Sequence, residues 1–377
     1  MKILQISKLY YPWIGGMERI VQNVAEGLRH RVDMKVLACQ SRGRSSVERI
    51  NDVEIIKTGT LGIFFSMPVS FSFPFYLKEF SRDRDILLFH MPFPLADIAY
   101  QWNGIKGKKI VIWWHSDIIK QKILFYFYKP FLISFLRKAD KILVATPRHI
   151  DSSDVLKNFR SRCEVIPYAV DPQIYVLNAD IVKKVREIRT IYGSEIVLFV
   201  GRLIYYKGVE YLIRAMKNVD ASLVVIGDGP LRENLLSLAT GVGVAHKVHF
   251  LGKGISDADM VAYYHACDVF VLPSVEITEG FGIVQLEAMA CGKPVVNTNL
   301  PTGVPCVSLD SETGYTVPVR DPEALSRAIN KILLNDEIKR KFGANALQRV
   351  NDEFTMDRMM DSVFNACQQV LGISNRR

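Results

Sequence analysis

The chain has 377 residues, 49% of them apolar, which is enough to bury two cores, and it shows neither a fixed-period repeat nor a low-complexity tract. Its net charge of +9 sits in one half: residues 1–169 carry 26 Lys/Arg against 15 Asp/Glu, a net of +11, and residues 170–377 carry 22 against 24, a net of −2. Six scattered cysteines without a Cys-x-x-Cys argue for reduced thiols in a cytosolic compartment and against a zinc site.

Met1-Lys-Ile-Leu-Gln-Ile reads as a strand opening and lacks the apolar core of a signal peptide. After the strand come Gly15 and Gly16 and then an amphipathic helix to about Arg29. Strand, glycine loop and helix is a layout that offers backbone N–H groups to a phosphate, although a Gly-Gly pair alone fits a simple turn equally well. Further strands are predicted over 34–38, 53–57, 86–89, 109–114, 141–144 and 163–166, with helices over 74–82, 94–102, 122–137 and 147–158. Near-continuous apolar strands alternating with helices argue for a doubly wound parallel sheet, in which ligands collect at the carboxyl ends of strands. That rule selects His115, at the end of the run Ile110-Val-Ile-Trp-Trp-His115, with Asp117 close by. His90 ends another apolar run and is the next candidate, and a buried structural histidine is the alternative for His115. The aromatic stretch 123–136 falls short of the ~20 residues a spanning helix needs and reads as a core helix, with an interfacial membrane helix as the alternative.

Ile166-Pro-Tyr-Ala-Val-Asp-Pro-Gln, an extended segment framed by two prolines, reads as an interdomain linker. A second alternating set follows, with strands over 196–200, 222–226, 248–251, 269–272 and 294–297 and helices over 209–218, 231–240, 257–267 and 281–291. Its first strand runs into Gly201-Arg202-Leu-Ile-Tyr-Tyr-Lys207-Gly208. There Arg202 supplies a fork that clamps a phosphate with two bonds, and Lys207 a compact point charge. Gly227-Asp-Gly229-Pro lacks the third glycine of a dinucleotide fingerprint. Asp83-Arg-Asp85 precedes its strand and Asp257-Ala-Asp259 reads as a helix cap, so neither triplet implies a metal.

The most informative stretch is Glu279-Gly280-Phe281-Gly282-Ile283-Val-Gln-Leu-Glu287, closing at Gly292 and Pro294. Its helix is apolar nearly all round, so Glu287 is a carboxylate expected to be buried and to need a partner. Gly280 and Gly282 bare the backbone at the helix start, where N–H groups favour anions or hydroxyl oxygens. Two acids and exposed amides suit a ligand rich in hydroxyls and phosphate, whereas a capping acid and a core salt bridge are the purely structural alternative. Amphipathic helices over 321–334, 337–351 and 356–371 complete the chain.

This segment resembles the Glu-x7-Glu signature of family 4 of the retaining glycosyltransferases, which have the GT-B fold. The resemblance runs the length of the chain. It implies two Rossmann-like doubly wound domains with an interdomain cleft. Residues 1–169 would bind the acceptor, residues 170–354 the nucleotide sugar, and a terminal helix over 355–373 would pack back on the first domain. It further implies that Glu279 and the amides of Gly280, Phe281, Gly282 and Ile283 hold the donor sugar, and that Glu287 holds the ribose. Arg202 and Lys207 would take the diphosphate, approached by Gly201 and the Gly15–Gly16 loop, and His115 would face the donor sugar. The implied activity is retaining transfer of a hexose from a nucleoside diphosphate sugar to a hydroxyl, without metal or other cofactor. Trp114-His115-Ser116-Asp117 and the segment from Leu300 to Leu309 look like bacterial mannosyltransferases of O-antigen synthesis. The acceptor implied is a glycan or a polyprenyl-diphosphate-linked lipid at the cytoplasmic face of the plasma membrane. The basic first half suits that anionic surface, and nucleic acid is not an expected partner. A nucleotide-sugar epimerase or hydrolase of the same fold, and a non-catalytic GT-B binding protein, are the rival readings.

Overall fold

The computed structural model describes residues 1–13, 15–64, 67–117 and 122–373, with side chains of 122–124 outside the description. The chain divides into two compact units, Met1–Tyr168 with Met356–Arg377, and Ala169–Thr355.

In the first unit the strands are β1 (Lys2–Ile6), β2 (Asp33–Cys39), β3 (Ser46–Ile50), β4 (Val53–Thr58), β5 (Ile63–Phe64), β6 (Met67–Pro68), β7 (Ile86–Met91), β8 (Lys109–Trp114), β9 (Lys141–Val144) and β10 (Cys163–Val165). Eight of them form one sheet in the order β10-β9-β8-β7-β1-β2-β4-β3, and β5 and β6 make a separate hairpin. All pairings in that sheet are parallel except β3 with β4. β7 is buried along its whole length and β8 from Ile110 onward because helices cover both faces, which is why they read as unbroken apolar runs. Sequence patterning misses β3, whose Val-Glu-Arg centre is exposed and carries no apolar signal.

One helical layer of this sheet comprises Phe73–Phe80, Pro94–Asn103 and Lys122–Leu136. Phe135 from the last of these meets Phe89 of β7 edge-on, with ring centroids 4.9 Å apart. The Tyr128 hydroxyl donates to the buried Asp97 carboxylate on the neighbouring helix, and burial pushes that carboxylate up to about 7. The aromatic helix expected in the core turns out to be two-sided. Leu132, Phe135 and Leu136 are buried, while Tyr126, Phe127 and Phe131 face outward.

The second unit holds β11 (Ile196–Val200), β12 (Ser222–Ile226), β13 (Val248–Gly252), β14 (Val269–Leu272), β15 (Val295–Thr298) and β16 (Gly314–Val317). They form one parallel sheet in the order β13-β12-β11-β14-β15-β16, so the winding reverses between β11 and β14. The helix expected to begin near Phe281 begins later, at Val284, and runs to Ala290. Gly282 explains the delay: its φ is +74°, and a Cβ there would lie 2.5 Å from a Leu272 methyl. The Asp257–Ala266 helix is capped by Ser256 and not by Asp257, since the Ser256 Oγ accepts from the Asp259 amide at 3.1 Å.

The chain leaves the first unit after Tyr168 and returns to it at Met356. Its two crossings run side by side, with the Val170 amide donating to the Phe354 carbonyl at 3.0 Å. The last helix, Met356–Val370, buries Met359, Met360, Val363, Ala366 and Cys367, and Met360 packs against Gly27 of the Gly16–Leu28 helix. Val363 is fully buried. Val363→Asp should therefore destabilise the first unit by about 3 kcal/mol or more, the cost of an unpaired carboxylate in that seam. Urea denaturation checks this, and an unchanged midpoint would show that the terminal helix contributes little to the unit's stability.

Candidate functional site

Parallel sheets collect ligands where the winding reverses, at the carboxyl ends of the two diverging strands. In the second unit those strands are β11 and β14, and the segments leaving them carry most of the polar residues singled out by sequence. After β11 the chain passes Gly201 and the exposed Arg202 and reaches the buried Lys207. After β14 it passes Ser274 and reaches Glu279. The two segments are joined twice. The Val275 amide donates to the Tyr206 carbonyl at 2.8 Å, and Lys207 Nζ sits 2.5 Å from Glu279 Oε2. Ser274 Oγ donates to that same carboxylate oxygen at 3.1 Å. Burial and the Glu279 carboxylate together push the Tyr206 hydroxyl up to about 12.

This approach of the two segments requires Gly208, whose φ is +64° and where a Cβ would stand 2.1 Å from the Pro273 carbonyl oxygen. Beyond Glu279, the residues Gly280, Phe281, Gly282 and Ile283 form the turn that precedes the helix. Phe281 is buried against Phe354, with ring centroids 6.3 Å apart. The Gly280 carbonyl accepts from the Gly303 amide at 2.7 Å. Among the described residues the amides of Gly280, Gly282 and Ile283 donate to no other group, so the turn carries N–H groups available to a ligand. A buried polar hub holds it in place. Gln285 Nε2 donates to the Phe281 carbonyl at 3.1 Å, and Gln285 Oε1 accepts from Asn297 at 2.9 Å.

Glu287 projects from the Val284–Ala290 helix and is 7% exposed. The buried Tyr264 hydroxyl donates to its Oε2 at 2.6 Å, and burial and that carboxylate drive the hydroxyl well above its ordinary pKa. Tyr264, Ser274 and Gln285 are site residues that sequence reasoning missed. Each is an ordinary helix or loop residue in the linear pattern, and only the tertiary pairing marks it.

In the first unit the corresponding reversal lies between β1 and β7. Gly15 is the N-cap of the Gly16–Leu28 helix and supplies no side-chain cap, while the Glu18 carboxylate in the first turn bonds back to its own amide. His115 follows β8, but it does not present a free ring. It is 8% exposed, its Nε2 lies 2.9 Å from His90 Nδ1, and its Nδ1 lies 2.5 Å from the Tyr168 hydroxyl. Both ring nitrogens thus have partners inside the first unit, as in the buried structural histidine given above as the alternative. His90 Nε2 continues the string to Gln5 Oε1 at 2.6 Å. Burial pushes His90 down to about 3 and His115 well below its ordinary value. Among the described residues no group of three or more His, Cys, Asp or Glu is arranged to hold a metal ion.

Comparison with known proteins places both halves. The model described as "Glycosyl transferases group 1" matches residues 182–349, and the "Glycosyltransferase Family 4" model matches residues 14–174. The D-rhamnosyltransferase WbpZ of Pseudomonas aeruginosa is 31% identical over 366 residues, covering 94% of this chain and 92% of the relative. The O-antigen chain mannosyltransferase C of Escherichia coli is 29% identical over 367 residues, covering 97% of each. Among solved structures, sucrose-phosphate synthase from Thermosynechococcus elongatus superposes with a TM-score of 0.81 at 22% identity, covering 99% of this chain and all of that one (100%). Anabaena HepE in complex with UDP superposes with a TM-score of 0.79 at 18% identity, covering 98% of this chain and 100% of that chain. These two share the fold, which is that of the GT-B glycosyltransferases.

The Lys207–Glu279 pair is nine-tenths buried on both sides, so its partners depend on each other. Lys207→Met should cost about 3 kcal/mol by leaving a buried carboxylate without its cation, and adding Glu279→Gln should recover most of that loss. Urea denaturation of the four variants reads the coupling directly. Simply additive losses would mean that the two side chains act independently.

Proposed function

This chain belongs to the group 1 glycosyltransferases, and from that premise we propose that it moves a hexose, mannose in preference, from a nucleoside diphosphate sugar to a hydroxyl of a lipid-linked or polysaccharide acceptor in bacterial O-antigen or surface-glycan synthesis. The observation that carries the reading is the gathering of Arg202, Lys207, Glu279 and the amides of Gly280, Gly282 and Ile283 on the segments that leave β11 and β14, where the two strands diverge. Cations, an acid and free N–H groups in one place match a ligand that is part diphosphate and part polyol. The preference for a deoxyhexose or mannose donor follows the names of the two relatives, one a D-rhamnosyltransferase and the other an O-antigen chain mannosyltransferase.

In this reading Glu279 and the turn amides hold the donor sugar and Glu287 holds the ribose hydroxyls. Arg202 and Lys207 take the diphosphate, beside Gly201. In the first unit the reading assigns Gly15 and Gly16 to phosphate and His115 to sugar. The bond from the anomeric carbon to the β-phosphate oxygen breaks with its electron pair going to the phosphate. The acceptor oxygen bonds to the same face of that carbon, and its proton passes to the departing phosphate, so configuration is retained. Arg202 and Lys207 stabilise the charge growing on the phosphate, the step where preorganised donors count most. No cofactor is assigned a step.

Arg202→Ala should lower turnover by roughly 10²–10³ while weakening donor binding less. Glu287→Gln should weaken free nucleoside diphosphate and donor alike by about tenfold or more, the worth of a charged hydrogen bond. Steady-state kinetics and calorimetric titration separate the two effects. An Arg202→Ala enzyme within threefold of the parent would remove the cation from the mechanism. A Glu287→Gln protein with unaltered nucleotide affinity would leave Glu287 as a partner of Tyr264 only.

The proposed location is cytoplasmic, docked on the anionic inner face of the plasma membrane. No described helix is long and apolar enough to span a bilayer. Instead, neighbouring helices of the first unit expose Phe75 (70%), Trp102 (76%), Phe127 (69%) and Phe131 (54%). Asn103 bonds to the Pro74 carbonyl at 2.6 Å and Gln101 to the Phe131 carbonyl at 3.1 Å, so these helices lie side by side. Residues 71–138 carry eleven Lys/Arg against five Asp/Glu. Exposed aromatic rings on a segment of net positive charge suit the interface of an acidic bilayer. Lys108 and Lys109 belong to a different place. They stand at the start of β8, the end away from His115, where Lys108 binds the carbonyls of Arg82 and Arg84 and Lys109 pairs with Asp140. Co-sedimentation with vesicles of acidic phospholipid should fall several-fold in Trp102→Ser/Phe127→Ser/Phe131→Ser and should weaken with salt. Binding that ignores both the substitutions and the salt would contradict membrane docking by this face.

A further inference from the structure

The string Gln5, His90, His115 and Tyr168 lies across adjacent strands β1, β7 and β8 and ends at the last residue of the first unit. The transfer chemistry above uses only His115, yet Gln5 and His90 are fully buried polar groups in the centre of a sheet. Such groups are costly unless every donor meets an acceptor, so the direction of each bond is open to deduction.

Gln5 Nε2 reaches the Val21 carbonyl at 3.3 Å and the Met34 sulfur at 3.6 Å, both acceptors, which leaves Oε1 toward His90. An amide oxygen only accepts, so His90 Nε2, 2.6 Å away, carries a proton. Burial keeps the His90 ring neutral, so its Nδ1 is bare and accepts. His115 Nε2, 2.9 Å from that Nδ1, must then be the donor. His115 is kept neutral by the same burial, with His90, His149 and Lys8 all adding to the penalty on a positive charge. Its Nδ1 is therefore bare as well and accepts the Tyr168 hydroxyl at 2.5 Å. The two rings lie nearly in one plane, with His90 and His115 centroids 5.2 Å apart and planes 9° from parallel, as an in-plane N–H···N bond requires, and Trp113 lies beside His90 with centroids 5.8 Å apart.

We infer that Gln5 and His90 are positioning residues that hold His115 as the neutral tautomer protonated on Nε2, so that the Nδ1 of His115 serves as an acceptor for one hydroxyl. Tyr168 fills that acceptor in this structure, and a sugar hydroxyl has the chemistry to take its place. The opposite tautomer would present an N–H, which serves phosphate and carbonyl oxygens as well as hydroxyls. The lock thus restricts His115 Nδ1 to groups that donate, such as a hydroxyl. It rests on the reading of His115 as a donor-sugar residue, and the experiment distinguishes the two.

Long-range 1H–15N spectra of the ring nitrogens of the full-length protein read the tautomer of each histidine. The expected result is a protonated Nε2 and a bare Nδ1 at both His90 and His115, and a proton on His115 Nδ1 would overturn the inference. His90→Leu removes the acceptor from Nε2. His115 should then populate both tautomers, and transfer from GDP-mannose should fall roughly tenfold or more with affinity for GDP unchanged. His90→Asn, which keeps an acceptor near the position of Nδ1, should restore the tautomer and much of the rate. A His90→Leu protein with parental tautomer and parental rate would also overturn the inference, and if that variant does not fold, the spectrum of the unsubstituted protein decides. His115→Ala with undiminished transfer would instead defeat the donor-sugar reading, whatever the spectra show.

Discussion

The ion pair between Lys207 and Glu279 joins the segment leaving β11 to the segment leaving β14, and the candidate site of the second unit is arranged around it. Both side chains are too buried to be satisfied by solvent, so each is held where it is by the other, and Glu279 also by the Ser274 hydroxyl. The backbone is built for that closeness. Gly208 lets the two segments touch, and the Val275–Tyr206 hydrogen bond keeps them in register. A cation and an acid held ready in the ligand-binding crevice of a doubly wound sheet suit a substrate with a negative end and a hydroxyl-rich end. In the proposed function a diphosphate would draw on Lys207 and a sugar on Glu279, so one ligand would meet both halves of the pair.

The support behind that pair is a layer of neutral polar groups. Asn297 at the core of β15 binds Gln285 and the Val304 carbonyl with its amide, and its Oδ1 accepts from Thr316 at 2.8 Å. Gln285 in turn holds the Phe281 carbonyl, and Gly303 holds that of Gly280. The turn is thereby held in place by groups of its own unit, without a ligand to order it. The first unit uses the same device with rings: a neutral string of Gln5, His90, His115 and Tyr168 across its own strand reversal.

Most of the sheet was legible because buried parallel strands are unbroken apolar runs. Lys109–Trp114, Ile196–Val200 and Val269–Leu272 fall where the patterning puts them. The exposed edge strand Ser46–Ile50 has no such signature, and Gly314–Val317, a short edge strand, was missed likewise. Residue type and spacing made Lys207, Glu279 and Glu287 legible as candidates, but not their partners. Tyr264 and Glu287 are 23 positions apart on different helices, and nothing local announces that their polar atoms meet. His90 and His115 each end an apolar run, yet their contact depends on the parallel register that sets His90 against Trp113. The start of the Glu287 helix was misplaced for a local reason, the left-handed backbone at Gly282.

The central claim is that the reversal between β11 and β14 is where a nucleoside diphosphate sugar sits. A crystal structure of the protein with GDP-mannose tests it most directly. The account predicts diphosphate oxygens within about 3 Å of Arg202 and Lys207, the ribose on the Glu287 carboxylate, and sugar hydroxyls on Glu279 and the amides of Gly280–Ile283. A nucleotide bound elsewhere, with the Lys207–Glu279 and Tyr264–Glu287 contacts undisturbed and Arg202 turned to solvent, would contradict it.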